Sequence, residues 1–189
     1  MVKYNPNERG IRMKYDIYTD GSLLKNGVGG YAAIITSDGG YTKELTGTEK
    51  NCDCYRAEIL GIYLALNNLK RKLQTCDELV FHCDNISVVN FIQQKRIIRW
   101  NERNWIKDNG EMVVNADLWA FILEFYEKYE MSAIWIKGHS GDKMNELCDQ
   151  MAYKAAKSVK TKKKHKKHRK KKQRIRTLYD KEIQLASNF

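Results

Sequence analysis

No apolar run in this 189-residue chain approaches 18 residues, so no membrane-spanning helix is expected. The N-terminal stretch Met1 to Gly10 lacks the apolar core of a secretory signal. Cysteine occurs at positions 52, 54, 76, 83 and 148, and no two of these form a C-x-x-C pair. An odd cysteine count without an export signal points to reduced thiols in a cytoplasmic compartment and gives no zinc cluster. The Gly-rich stretch Gly21 to Gly30 lacks the Lys-Ser/Thr ending of a phosphate loop. Residues 157–176 contain no acid at all.

That last absence explains the charge. The whole chain carries a formal net charge of +11, and residues 157–176 alone hold 13 Lys and Arg. Residues 1–156 hold 20 Lys and Arg against 21 Asp and Glu, so the body is near neutral. Three parts follow: a leader over 1–12, one folded domain over 13–157, and a basic tail over 158–189.

The body begins with a strand. Met13 to Ile17 alternates apolar and polar residues and leads into Tyr18-Thr19-Asp20-Gly21-Ser22, where Asp-Gly signals a turn. Tyr31–Thr36 and Tyr41–Thr46 read as further strands around the hairpin turn at Asp38-Gly39-Gly40. From Tyr55 the period becomes helical, with Glu58 expected on the first turn and Lys70-Arg71-Lys72 at the C-terminal end. Leu79–Asp84 is a short buried-type strand ending in an acid, and Asn85–Ile92 begins a helix. Lys95–Lys107 is basic and aromatic. Asn115–Tyr129 is a helix, Ser132–Lys137 a fifth strand, Gly138–Met144 a loop, and Asn145–Ser158 a last helix carrying Asp149 on its first turns.

The expected order is therefore β-β-β-α-β-α-α-β-α. Helical crossovers set strands four and five parallel to strand one. The result is an α/β fold: a mixed five-stranded sheet, its first three strands antiparallel, with helices on both faces. Asp20 and Asp84 then fall on neighbouring strands at the edge where such sheets bind ligands.

Asp20, Glu58, Asp84 and Asp149 each sit at the edge of an apolar element. Singly, each reads as a turn residue, a dipole-favoured acid or a helix cap. Gathered at one site they would repel unless a cation lay among them. Oxygen donors suit Mg²⁺ or Mn²⁺. Two such ions about 3.5–4 Å apart can serve the attacking and leaving oxygens of a phosphodiester.

The chain resembles the type 1 ribonuclease H family. The residues that carry the resemblance are Tyr18-Thr19-Asp20-Gly21-Ser22, Asn26 with Gly29-Gly30, Arg56-Ala57-Glu58-Ile59, Cys83-Asp84-Asn85, Asn115-Ala116-Asp117-Leu118-Trp119, Trp135-Ile136-Lys137-Gly138-His139 and Asn145 to Ala152. They occur in the family's order over about residues 13–157. The resemblance implies a ribonuclease H-like fold and a catalytic domain over 13–157 that cuts the RNA strand of RNA/DNA hybrids, leaving 5′-phosphate and 3′-hydroxyl ends. It implies metal ligands at Asp20, Glu58, Asp84 and Asp149, with Asp20 bridging two Mg²⁺ ions, Mn²⁺ being a substitute, and His139 assisting proton handling or product departure. It also implies substrate contacts from Asn26, Arg56 and Asn115, and from Trp100 and Trp105 in a segment similar to the family's basic protrusion.

Two departures bear on the grip. Asp53-Cys54-Tyr55 stands where the family commonly has Thr-Asn-Asn, and Ile86 where a Gln often follows the third acid. An Asp facing a phosphate would be unfavourable. The tail is an addition to the family pattern: Lys162, Lys163, Lys164, Lys166, Lys167, Arg169, Lys170, Lys171 and Lys172 would attract phosphate without reading sequence. A nuclear localisation signal is the competing reading of the same run. The terminal Gln184, Leu185 and Phe189 resemble a sliding-clamp binding peptide, with a frayed terminus as the alternative. No dimer interface is legible, so a monomer is expected. Competing functions are a catalytically silent nucleic-acid-binding module on the same fold, and another nuclease such as a junction resolvase or transposase core.

Overall fold

In the computed structural model of the chain, residues 12–159 are described. Most of the expected leader, the basic tail from residue 160 on and the Gln184–Phe189 peptide lie outside them. Three antiparallel strands open the fold: β1 (Lys14–Leu23), β2 (Val28–Ser37) and β3 (Thr42–Lys50). Helix α1 (Cys54–Leu69) crosses to β4 (Glu78–Cys83). Helices α2 (Ile86–Gln93), α3 (Arg96–Glu102) and α4 (Ala116–Tyr126) lead to β5 (Glu130–Trp135), and α5 (Lys143–Ser158) closes the order. The sheet runs β3-β2-β1-β4-β5, with β4 parallel to β1 and β5 parallel to β4. No helix among the described residues is long and apolar enough to cross a membrane.

Both faces of the sheet are covered at its centre. In β2, Ala33 and Ile35 belong to the larger core shared with α1, while Ala32 and Ile34 pack with Cys148 and Ala152 of α5. This two-sided burial is why Tyr31–Ile35 reads as a nearly continuous apolar run. Helix α1 buries Ala57, Ile59, Leu60, Ile62, Ala65, Leu66 and Leu69. Each buried Leu or Ile contributes about 1.5–3 kcal/mol relative to exposure. Asp53 starts α1 by accepting from the Arg56 backbone N–H at 2.7 Å.

Glycines set how closely the helices approach. A Cβ on Gly21 would stand 2.5 Å from the Glu58 backbone nitrogen, and one on Gly30 would stand 2.1 Å from the Ala152 carbonyl oxygen. Side chains larger than hydrogen would push α1 or α5 off the sheet at these points.

The structure moves several expected boundaries. Strand β1 does not turn at Asp20-Gly21; Gly21, Ser22 and Leu23 pair with Tyr31, Gly30 and Gly29. The turn falls at Leu24–Gly27, where Gly27 has φ +79°. Because α1 starts at Cys54, Glu58 lies beyond its first turn. Asp84 follows β4, and the α2 cap is Asn85, whose side chain accepts from Ser87 and Val88. The basic stretch Lys95–Lys107 contains α3, which raises the helix count among the described residues to five.

Candidate active site

Register brings the first two carboxylates level. Tyr18 pairs with His82 across the parallel β1–β4 ladder, and Asp20 and Asp84 each lie two residues further on. Gly21 lets α1 descend onto β1, which carries Glu58 beside Asp20. Asp149 arrives from the other face on α5.

Asp20 is 5% exposed and accepts from the Gly21 backbone N–H at 2.6 Å. Its pKa is pushed up to about 7, first by burial, then by the charges of Asp84 and Asp149. Burial likewise pushes Glu58 well above the carboxylate range, with Asp20, Asp84 and Asp149 adding to the effect. Asp84 is raised by burial and by Asp149, while His139 and a hydrogen bond from Asn145 oppose the rise. The four acids therefore lie within electrostatic reach of one another. Glu58 Oε2 is buried and has no hydrogen-bond partner among the described residues. Oxygen donors that resist ionisation together, one of them unpartnered, fit a hard divalent cation.

Three neighbours hold Asp84. The half-exposed Trp135 donates its indole N–H to the Asp84 carbonyl oxygen at 2.8 Å. Gly138 passes so close that a Cβ there would stand 2.8 Å from Asp84 Oδ2. Asn145, 2% exposed, donates its amide to the carboxylate, and its Oδ1 has no partner among the described residues. His139 follows Gly138 on the surface with φ +53°. Asn145 was legible only as part of a motif. Its spacing of four residues before Asp149, which places both on one helix face, was the available signal for a role of its own.

The expected substrate contacts fall into three groups. Asn26 is exposed in the β1–β2 turn, and its Oδ1 accepts from the Val28 N–H at 3.1 Å. Arg56 donates Nε to Glu49 at 2.5 Å, Nη1 to Asn115 Oδ1 at 3.0 Å, and both terminal nitrogens to Asp117. Its guanidinium thus braces the start of α4. Asn115 has φ +59°, and its Nδ2 is buried without a partner among the described residues. Trp100 and Trp105 pack, partly buried, against the larger core. Trp100 also lies 4.8 Å from the Phe91 ring centroid and lines a cavity of about 530 Å³ with Arg96, Arg99, Arg103 and Lys107.

The altered segment 53–55 has its own structure. Asp53 is occupied as the α1 cap, so its carboxylate does a backbone task. Tyr55 stands edge-on to Phe91 at 6.1 Å and lines an apolar cavity of about 340 Å³ with Phe91, Trp100 and Trp119.

A sequence model described as RNase H matches residues 12–157. A ribonuclease H of Caldicellulosiruptor saccharolyticus is 39% identical over 137 residues, covering 72% of this chain and 91% of that protein. A ribonuclease HI of Synechocystis sp. is 33% identical over 140 residues, covering 74% and 85%. Among solved structures, LC9-RNase H1 superposes with a TM-score of 0.67 at 21% identity, covering 78% of this chain and 74% of that one.

Proposed function

The chain belongs to the RNase H family and is a ribonuclease H, and from that premise we propose how its own residues hydrolyse the RNA strand of an RNA/DNA hybrid. The observation that carries the reading is the convergence of Asp20, Glu58, Asp84 and Asp149, with Asp20 near neutrality and Glu58 Oε2 unpartnered. Asp20, Glu58, Asp84 and Asp149 would hold Mg²⁺, as two ions when substrate is present, with Mn²⁺ able to substitute. The bound cations would supply positive charge to the attacking water and the departing 3′-oxygen.

The other roles belong to the protein. Asn145 and Trp135 fix Asp84 from its side chain and its backbone. His139, exposed beside Asp84, hands a proton to the departing oxygen or eases release of the 5′-phosphate end. Arg56 holds Asn115 at the start of α4, where the partly exposed pair would meet the nucleic-acid backbone. Asn26 offers a second polar contact across the same end of the sheet. Trp100 and the Arg96–Lys107 basic surface accept the DNA strand, and the tail adds sequence-blind attraction to phosphate.

The experiment is cleavage of labelled RNA/DNA hybrid, double-stranded RNA, single-stranded RNA and double-stranded DNA with Mg²⁺, with Mn²⁺ and with chelator, beside Asp84→Asn. Metal-dependent cutting of the hybrid's RNA strand alone, lost in Asp84→Asn, is the expected result. Binding without cutting under every metal would make the protein a silent binding module and overturn the mechanism.

A further inference from the structure

Cys83 is the last residue of β4 and immediately precedes Asp84. It is 1% exposed, and its Sγ accepts from the Asn85 backbone N–H at 3.3 Å. Cys83 Sγ, a Glu58 carboxylate oxygen and an Asp84 carboxylate oxygen all lie within 4.8 Å of one another. Beside the all-oxygen set there is thus a second donor set of one sulfur and two oxygens. The buried Glu58 Oε2, unpartnered among the described residues, belongs to the same corner.

The two sets suit different ions. Mg²⁺ takes oxygen and refuses sulfur, whereas Zn²⁺ and Cd²⁺ favour thiolate. With zinc–sulfur bonds of about 2.3 Å and zinc–oxygen bonds of about 2.0–2.2 Å, tetrahedral donors stand roughly 3.4–3.6 Å apart. Side-chain adjustments of about 1 Å close the present spacing to that value. The other buried thiol nearby, Cys148, is directed to the Tyr18 carbonyl at 3.5 Å and is not part of this group.

We propose that Cys83, Glu58 and Asp84 form a site for a thiophilic divalent cation, Zn²⁺ or Cd²⁺, whose occupation blocks Mg²⁺-supported cleavage. A metal–sulfur bond forms, the Cys83 S–H bond breaks, and its proton goes to solvent with no change of oxidation state. The proposal rests on the reading of Glu58 and Asp84 as ligands of the catalytic ions.

The test is titration of the metal-free full-length protein with Cd²⁺, read as thiolate-to-cadmium charge-transfer absorption in the ultraviolet. Wild type is compared with Cys83→Ser, Cys148→Ser and Cys54→Ser, the last controlling for the exposed thiol. Absorption rising to one equivalent in wild type, Cys148→Ser and Cys54→Ser, and lost in Cys83→Ser, is expected. In parallel, the Zn²⁺ concentration that halves hybrid cleavage in excess Mg²⁺ should rise roughly tenfold or more in Cys83→Ser. Should that variant fold poorly, Cys83→Ala and the cadmium-113 resonance of the wild-type protein read the same bond. Magnesium-supported cleavage with no charge-transfer band, or a band unchanged in Cys83→Ser, would overturn the site while leaving the hydrolase standing. Absence of any metal-dependent cleavage would overturn the parent reading, and this one with it.

Discussion

Asp20 illustrates how burial, more than any single neighbour, sets a protonation state. Its folded pKa of about 7 lies above the ordinary 3.8, so the folded protein holds a proton that the unfolded chain has lost. The stability tied to that proton is complete below about pH 4 and is lost as pH rises towards 7. Metal-free protein should therefore be less stable at pH 8 than at pH 5. A cation that binds the ionised form reverses this. At a concentration 100 times its dissociation constant it adds about 2.7 kcal/mol, a rise in Tm of about 5–10 °C for a chain of this size. Thermal unfolding with Mg²⁺ and with chelator should show the larger increment at pH 8; equal increments would remove Asp20 from the ligand set. Asn145 acts in the opposite sense on Asp84. Removing its hydrogen bond lets the Asp84 pKa rise further, so Asn145→Ala should shift the acidic limb of the pH–rate profile upward. It should also lower metal affinity or activity by about 10–100-fold. An unchanged limb and affinity would leave Asn145 with a packing role alone.

At the scale of elements, two close approaches assemble the site. Gly30 admits α5, which brings Asp149, and Gly21 admits α1, which brings Glu58. Gly30→Ala should destabilise the fold by about 1–3 kcal/mol, read as a lower midpoint in urea unfolding. Wild-type stability in that variant would mean the contact relaxes freely. Strand identity and order were legible because alternation and helical period are strong local signals in β1, β3 and α1. The position of Glu58 on its helix was not, because it depends on where Asp53 caps. Asp53 itself read as an acid opposed to phosphate; the hydrogen bond to Arg56 N–H shows a local backbone use that residue type alone does not distinguish. The four carboxylates were legible as a set only through the motifs around them. The bracing of Asn115 by Arg56 spans 59 residues, and no local pattern encodes it. The partial burial of Trp100 likewise follows from packing around Phe91 and Trp119.

Over the whole molecule, charge is divided: residues 1–156 are near neutral, and 13 Lys and Arg crowd into residues 157–176. Helix α5 ends with Ala156 packed on Gly30, which pairs with Ser22, two residues from Asp20. Deleting residues 160–189 should weaken hybrid binding most at low salt and flatten the slope of log affinity against log salt by several units. A Michaelis constant unchanged across salt would assign the tail another purpose. The indole of Trp135 has a different consequence. It is 47% exposed and bonded to the Asp84 backbone, whereas Trp119 is fully buried and Trp100 and Trp105 pack against the core. The protein therefore carries a built-in fluorophore within one hydrogen bond of its chemistry. Ion uptake can be followed as a change in intrinsic emission, without label or substrate, and Trp135→Phe should silence it.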